Sequence, residues 1–162
     1  MNKASIMILL VFGSLSSFCQ IDTCGYIYSK HDDFENKDYY YTANKLYGST
    51  FPAQMMKVVS KKSSVYYLSL YSYGKTASVN EKGVIIILEN GQKLNFATEK
   101  ISENIRGGEF EYNAFITLTT NQLKILKTHS IKKWRLYVYD NELSENDMSL
   151  FKAWVNCLIE KK

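Results

Sequence analysis

Short apolar and aromatic runs alternate with polar segments along the first half of the chain, and this pattern predicts strands joined as hairpins. Tyrosine-rich runs at residues 26–28 and 38–42 lie on either side of a polar segment, which predicts an opening hairpin. Residues 55–60 and 65–73 form a second such pair around a turn rich in lysine and serine. The pattern therefore predicts two hairpins before the middle of the chain.

The dipeptide Asn90-Gly91 separates the apolar run 84–89 from a second strand-like run at 92–96. Asn-Gly favours a type I′ turn, which joins two strands through a two-residue loop. The loop length sets the register, and side chains directly opposite each other share a face. The predicted buried face carries two opposed pairs, Ile87 with Leu94 and Ile85 with Phe96.

Three further elements follow this hairpin. Residues 110–118 alternate apolar and polar side chains, which predicts a long half-buried strand. Thr119 and Gln122 have the spacing of a capping box and predict a short helix that ends near His129. Residues 134–139 then have the composition of another strand.

The last segment has the pattern of an amphipathic helix. Ser144 and Asp147 repeat the capping pattern, and apolar residues then recur at intervals of three and four: Met148, Phe151, Val155 and Leu158. Strands followed by helices are typical of an α+β fold, here a mostly antiparallel β-sheet with a short helix and a C-terminal amphipathic helix packed on it. The predicted core contains Ile85, Ile87, Leu94, Phe96, Ile116, Leu136, Phe151 and Val155.

The order of these elements over residues 83–159 also carries a resemblance. An apolar strand, an Asn-Gly turn, a long strand leading into a Thr-capped helix, the run Ile131-x-x-Trp134-Arg135 and a closing helix follow one another. In this the chain resembles small, uncharacterised exported proteins of Bacteroidota-type bacteria. The resemblance implies export and an α+β fold, and it implies no activity.

Residues 1–19 are typical of a secretory signal peptide, because a lone cation at Lys3 precedes an apolar run and then small and polar residues. The apolar run at 6–12 is too short to cross roughly 30 Å of hydrocarbon as a helix. We therefore expect an exported protein, periplasmic or extracellular, with one globular domain over residues 20–162 and no transmembrane helix after signal removal.

The end of this leader allows two interpretations. Ser17 and Cys19 supply the small residues that signal peptidase requires, which predicts cleavage before Gln20. The alternative is a lipid anchor on Cys19. Phe18 argues against it, because a lipobox has a small residue immediately before its cysteine.

Cleavage after Cys19 would leave two cysteines, Cys24 and Cys157, one near each end of the domain. An even number of cysteines in an oxidising compartment predicts a disulfide between them. The alternative is two buried free thiols, since cysteine also serves as a small core residue.

Charge and local motifs point to no catalytic or metal site. The formal net charge of +4 is far from the clustered excess of a nucleic-acid-binding domain. In the acidic loop 31–38, Lys37 stands where an EF-hand has its sharp-turn glycine, so we expect a solvated hairpin tip. The lysines around His129 suit the end of a helix, whose dipole favours cations. We therefore expect no cofactor and no nucleic-acid partner.

Thirteen tyrosines are the most unusual feature of the composition. Several lie at alternate positions of predicted strands, where side chains share a face. The candidate binding surface consists of Tyr39, Tyr41, Tyr67, Tyr71 and Tyr73. Tyrosine offers a large contact area at low entropic cost, which suits a protein or glycan partner, although β-propensity alone also enriches strands in tyrosine.

Two hypotheses for function follow. The first is a non-enzymatic binding or interaction module of the cell envelope that uses the tyrosine-rich sheet surface. The alternative is a hydrolase acting on an envelope substrate, with a site assembled from distant residues. A deep pocket that holds His31 or His129 beside a carboxylate would favour the hydrolase.

Overall fold

The structure, a computed structural model, describes residues 23–46, 49–61, 63–77 and 81–161. The predicted signal peptide at residues 1–19 lies outside the described residues. The predicted α+β class is confirmed: most strands of a large antiparallel sheet come first, one α-helix precedes the last two strands, and a second α-helix closes the described chain.

A short 3-10 turn, η1 (Thr23–Tyr26), precedes the first strand. The strands are β1 (Ile27–Asp32), β2 (Lys37–Thr42), β3 (Lys45–Leu46), β4 (Ser49–Thr50), β5 (Ala53–Ser60), β6 (Ser63–Gly74), β7 (Lys82–Leu88), β8 (Lys93–Arg106), β9 (Glu109–Leu118), β10 (Ile131–Leu136) and β11 (Tyr139–Glu142). The helices are α1 (Thr120–Thr128) and α2 (Glu145–Glu160). Nine strands form one sheet in the order β1-β2-β5-β6-β9-β8-β7-β10-β11, and β3 pairs with β4 separately.

The sheet curls until its last strand lies against the end of β6. The Asn141 side-chain amide donates to the carbonyl oxygen of Tyr71 at 2.5 Å, and the Tyr139 hydroxyl accepts from the amide of Thr76 at 2.9 Å. Gly74 permits this approach, because a side chain there would overlap the Tyr139 ring. These contacts also cover the edge of β6 where it extends beyond β5, so that edge is not left open for pairing.

Helix α2 packs against the inner face of the curled sheet and against η1 and α1. The fully buried Trp154 ring lies 5.0 Å from the Phe51 ring and 5.5 Å from the Tyr26 ring, measured between centroids. The predicted apolar stripe on this helix is confirmed, since Phe151, Val155 and Leu158 are all buried.

Both predicted helix starts are confirmed by their caps. The Thr119 hydroxyl accepts from the backbone amide of Gln122, and the Gln122 side chain accepts in return from the Thr119 amide at 2.8 Å, which completes a capping box. Ser144 caps α2 by accepting from the amide of Asp147 at 3.2 Å.

The disulfide predicted between Cys24 and Cys157 is present, with the two Cα atoms 5.5 Å apart. Cys24 lies in η1, immediately before the first strand, and Cys157 lies in the last turns of α2. The bridge therefore ties the beginning of the described chain to its closing helix.

A buried lysine makes a second contact with the end of α2. Lys57 lies on the inner face of β5 and is almost fully buried. Its ammonium donates to the carbonyl oxygen of Lys161 at 2.5 Å and approaches that of Ile159 at 3.4 Å. A cation at this position satisfies carbonyl groups that have no partner within the helix and complements the negative end of the helix dipole.

Six of the eight residues predicted for the core are buried in it: Leu94, Phe96, Ile116, Leu136, Phe151 and Val155. Ile85 and Ile87 were wrongly assigned. Ile86 is fully buried instead, and the Ile85 side chain is 39% exposed. The opposite face of β7 is therefore the buried one.

The length of the loop between β7 and β8 explains why the other face of β7 is buried. The amide of Leu88 donates to the carbonyl oxygen of Gln92 at 2.9 Å, so this hydrogen-bonded pair encloses three loop residues and not two. Gly91 has φ of +82° while Asn90 has no positive φ, which excludes the type I′ turn expected of this dipeptide. The extra loop residue shifts the register by one position, and a shift of one position exchanges the two faces.

The observed ladder pairs Ile86 with Leu94 and Val84 with Phe96. A further hydrogen bond acts on this loop from outside the hairpin, because the amide of Glu89 donates to the carbonyl oxygen of Ser130 at 3.0 Å.

The strand predicted over residues 134–139 is also corrected. The chain turns at Tyr137, whose φ is +59°. The predicted strand is therefore split, and its two ends belong to different strands, β10 and β11. The resulting hairpin pairs Leu136 with Tyr139 and brings Arg135 opposite Asp140.

Candidate functional site

All five tyrosines of the predicted surface lie on one face of the sheet, opposite the helices. Tyr39 and Tyr41 are alternate residues of β2, and Tyr67, Tyr71 and Tyr73 are alternate residues of β6. Their neighbours in β6, such as Leu68 and Leu70, point into the core. Because adjacent side chains of a strand point to opposite faces, the tyrosines are directed outward.

We define the open face by the outward residues of β1, β2, β5, β6 and β9. One row crosses its centre, because the ladder places Tyr28 beside Tyr41, Tyr41 beside Met56, and Met56 beside Tyr67. Phe115 lies in β9, and its ring stacks on that of Tyr67. The open face is therefore continuous across five strands.

The rings of the open face contact one another in pairs. The centroids of Tyr28 and Tyr41 are 5.8 Å apart with an interplanar angle of 29°, and those of Tyr67 and Phe115 are 4.9 Å apart with an angle of 19°. Tyr28 and Phe115 each remain 49% exposed. Stacking holds the rings in place and leaves apolar area in contact with solvent.

The far end of the open face is polar. The Tyr73 hydroxyl donates to Glu111 Oε2 at 2.9 Å, and Arg106 Nη1 donates to the same oxygen at 3.0 Å. Burial, together with the hydrogen bond to Glu111, raises the pKa of Tyr73. Tyr71 lies beside Asn113 in the ladder. The structure thus brings Tyr39, Tyr41 and Tyr67 together and separates Tyr71 and Tyr73 toward a hydrogen-bonded rim.

Sequence reasoning missed three members of this surface, namely Tyr28, Met56 and Phe115. Phe115 carried a usable signal, because it occupies an outward position of the alternating strand 110–118. Tyr28 lies in the edge strand β1, and its place on the open face follows only from its pairing with Tyr41. Met56 was not separable from the buried Met55 without knowing which face is covered.

Two lysines border the apolar part of the open face. Lys30 stands beside Tyr39 in the ladder between β1 and β2. Lys100 immediately precedes Ile101, whose ladder partner is Ala114, and so lies at the Phe115 end. Both lysines are exposed, and within the described ranges neither makes an ion pair shorter than 4 Å. The border of the aromatic area is positively charged on two sides.

The acidic loop predicted to be a solvated tip connects β1 to β2. Asp32 accepts from the amides of Phe34 and Glu35 at 2.9 and 3.2 Å, which forms a local turn. His31 Nδ1 lies 2.7 Å from Asp38 Oδ1, and its Nε2 lies 3.5 Å from Asp33 Oδ1. All of these side chains are at least partly exposed.

We expect Asp38→Asn to lower the pKa of His31. The hydrogen bond to the Asp38 carboxylate is the main reason that this pKa is raised above 6.5. The protonated imidazole is therefore favoured in the folded state, and its stabilising effect is lost as the pH rises through the folded-state pKa. An NMR titration of the imidazole measures the shift. Asp33→Asn is the matched control, and a larger decrease in that variant would contradict the assignment.

The basic segment around His129 is interspersed with carboxylates. Glu89 Oε1 lies 3.2 Å from the ammonium of Lys152 and 3.8 Å from His129 Nδ1. Hydrogen bonding from the backbone of Ser130, and then the contact with Lys152, lower the pKa of Glu89. Lys127 lies 3.9 Å from Glu160. Carboxylates thus lie close to His129, Lys127 and Lys152.

Within residues 23–46, 49–61, 63–77 and 81–161, no group of three or more histidine, cysteine or acidic side chains is arranged to hold a metal ion. In the same part of the chain, neither helix has the length and apolar character that a membrane crossing requires. The chain matches no protein-family model, no curated protein and no solved structure.

Proposed function

We propose that this protein is an exported, non-enzymatic binding module whose open face binds another protein. The observation that carries the proposal is the gathering of Tyr28, Tyr41, Met56, Tyr67 and Phe115 into one continuous outward surface. Aromatic residues and methionine are enriched at the centres of protein–protein interfaces, and charged residues are depleted there.

The ring geometry favours a protein over a glycan. A sugar stacks on the free face of an aromatic ring, and in both stacked pairs one face of each ring is already covered by its neighbour. The exposed area is also spread over five strands of the sheet, and the depression that Tyr28 and Tyr41 line is open to solvent. Such a surface offers contact area and pockets between rings, which suits the packing of another protein's side chains.

The border of the face indicates the chemistry of the partner. Lys30 and Lys100 flank the aromatic rows, and each is free of close ion pairs among the described residues. Charged groups at the rim of an interface steer association toward a surface of opposite sign. The partner we propose has an apolar centre and acidic residues at its border.

The arrangement of the two histidines gives the hydrolase less support. His31 lies at the exposed tip between β1 and β2, and His129 lies at the end of α1 on a different part of the surface. A groove on the outside of β7 and β10 is lined by neither of them. General acid–base chemistry depends on a positioned side chain within reach of a bound substrate, and this groove brings neither histidine to such a position.

Export rests on the leader-like residues 1–19 and on the resemblance to small exported Bacteroidota-type proteins. The disulfide between Cys24 and Cys157 is consistent with export, because disulfides persist in oxidising compartments.

The test is site-specific photo-cross-linking in the cells that produce the protein. A photoreactive phenylalanine at position 28, on the open face, is expected to capture a partner protein. The same group at position 34 is the control, because Phe34 is fully exposed at the tip between β1 and β2 and lies outside the open face. We expect no capture of the same partner from position 34.

The affinity of the captured protein for purified variants completes the test. Tyr28→Ser and Phe115→Ser should each weaken binding by about tenfold or more, as truncation of an aromatic anchor does. Phe34→Ser removes an exposed aromatic ring that lies outside the open face and should leave the affinity unchanged. Equal capture from both positions, or equal affinity in all three variants, would contradict the proposal. Binding of an envelope polysaccharide that depends on Tyr28 and Phe115 would replace the protein partner with a glycan.

A further inference from the structure

A groove with a mixed apolar and cationic lining lies on the outer surface of β7 and β10, away from the open face. Its volume is about 250 Å³, and it is lined by Ile85, Ile87, Lys93, Lys133, Arg135 and Asp140. We call it the outer groove. It results from the observed register of β7, which directs alternate isoleucines away from the core.

The outer groove has an apolar floor. Ile85 lies between Asn95 and Arg135 in the ladder and is 39% exposed. Ile87 is the next outward residue of the same strand. Two neighbouring isoleucines on the solvent side of a strand are unusual for a sheet whose other face forms the core.

The cations of the groove fall into two groups. Arg135 is neutralised, because its Nε and Nη2 donate to the two carboxylate oxygens of Asp140 at 2.5 and 2.7 Å. Lys93 and Lys133 are the two ladder partners of Ile87, one on each side. Among the described residues neither makes an ion pair shorter than 4 Å.

The acidic groups near Lys133 are already engaged. Glu142 is the ladder neighbour of Lys133, and its carboxylate lies 4.0 Å from the ammonium of Lys132. Lys133 acts on Asp140 only through its charge, and the hydrogen bonds from Arg135 are the larger cause of the lowered pKa of Asp140. Two ammonium groups thus flank an apolar side chain with no carboxylate of their own.

We propose that the outer groove binds a small amphiphilic anion, an aliphatic chain that ends in a carboxylate. The carboxylate lies between the ammonium groups of Lys93 and Lys133, and the aliphatic chain covers Ile85 and Ile87. Lysine binds an anion as a point charge with rotatable donors, so two lysines accept a carboxylate without a fixed fork geometry. The groove is smaller than the cavities that enclose drug-sized ligands, which limits the ligand to a short chain.

The test compares three probes by calorimetry on the full folded protein: octanoate, the neutral 1-octanol, and acetate. Octanoate should bind more tightly than either of the others, because only octanoate combines the charge with the chain. Amide chemical shifts in the NMR spectrum should change on β7 and β10.

Matched variants separate the contribution of the lysine charges from that of the apolar floor. The double variant Lys93→Gln/Lys133→Gln should weaken octanoate about tenfold and leave 1-octanol unaffected. Ile85→Ser should weaken both probes. Lys124→Gln is the control, because this exposed residue of α1 changes the net charge without touching the groove.

Equal affinity for octanoate and 1-octanol, or equal loss of octanoate binding in Lys124→Gln and the double variant, would overturn the proposal. Chemical-shift changes confined to the open face would also overturn it. The outcome is independent of the proposed protein partner, because Tyr28→Ser and Phe115→Ser alter neither β7 nor β10.

Discussion

Reduction of the bridge between Cys24 and Cys157 is expected to lower the free energy of unfolding by about 2–5 kcal/mol. The two cysteines are separated by 133 positions, so the bridge closes nearly the whole described chain into one loop. In the chain-entropy account a long loop gives an effect near the upper end of this range, because the bridge removes many conformations from the unfolded state.

Chemical denaturation with and without reductant measures the effect. A double variant, Cys24→Ala/Cys157→Ala, is the control, and its stability should not respond to reductant. We expect the unfolded, unreduced protein to resist alkylation at both positions by intact mass. Unchanged unfolding of the wild type under reductant, or alkylation of both thiols without reductant, would contradict the expectation.

Ile86→Ala is expected to lower the free energy of unfolding by about 2–5 kcal/mol. Ile86 is fully buried and lies between Leu94 and Trp134 in the ladder of the curled sheet. Truncation removes apolar contacts and leaves a cavity that rigid neighbours on both sides cannot fill.

Ile85→Ala is the matched control, because the same side chain in the same strand lies on the outer face and is only partly buried. We expect its effect to be smaller than about 1 kcal/mol, since only part of its apolar area is removed from water. Urea denaturation of the two variants measures both values. A larger loss in Ile85→Ala than in Ile86→Ala would mean that the hairpin has a two-residue loop and the opposite face in the core.

Much of the candidate site could be predicted from alternation alone. Tyr39 and Tyr41 are two positions apart, and so are Tyr71 and Tyr73, so any strand conformation places each pair on one face. Alternation does not say which face the helices cover. That assignment came from the packing of α2 and from the buried neighbours of the tyrosines, such as Leu68 and Leu70.

The outer groove could not be predicted in this way. It depends on the register of β7 against β8 and β10, and one loop residue decides that register. The intrinsic preference of Asn90-Gly91 favours a two-residue loop. The observed loop is instead compatible with the hydrogen bond from Glu89 to Ser130, a residue some 40 positions later in the chain. The free-energy preference of one dipeptide for a turn type is small compared with the free energy gained by burying a whole strand face.

The sequence by itself determined the features that depend on a few consecutive residues. These include the helix starts at Thr119 and Ser144, the hairpin pairs of the first half, and the apolar stripe of α2, because caps and periodicity act within one or two turns. Only the tertiary structure decided the curl of the sheet, the buried face of β7 and the open face of β2 and β6. Those features depend on contacts between residues far apart in the chain, and no local preference distinguishes one face of an apolar strand from the other.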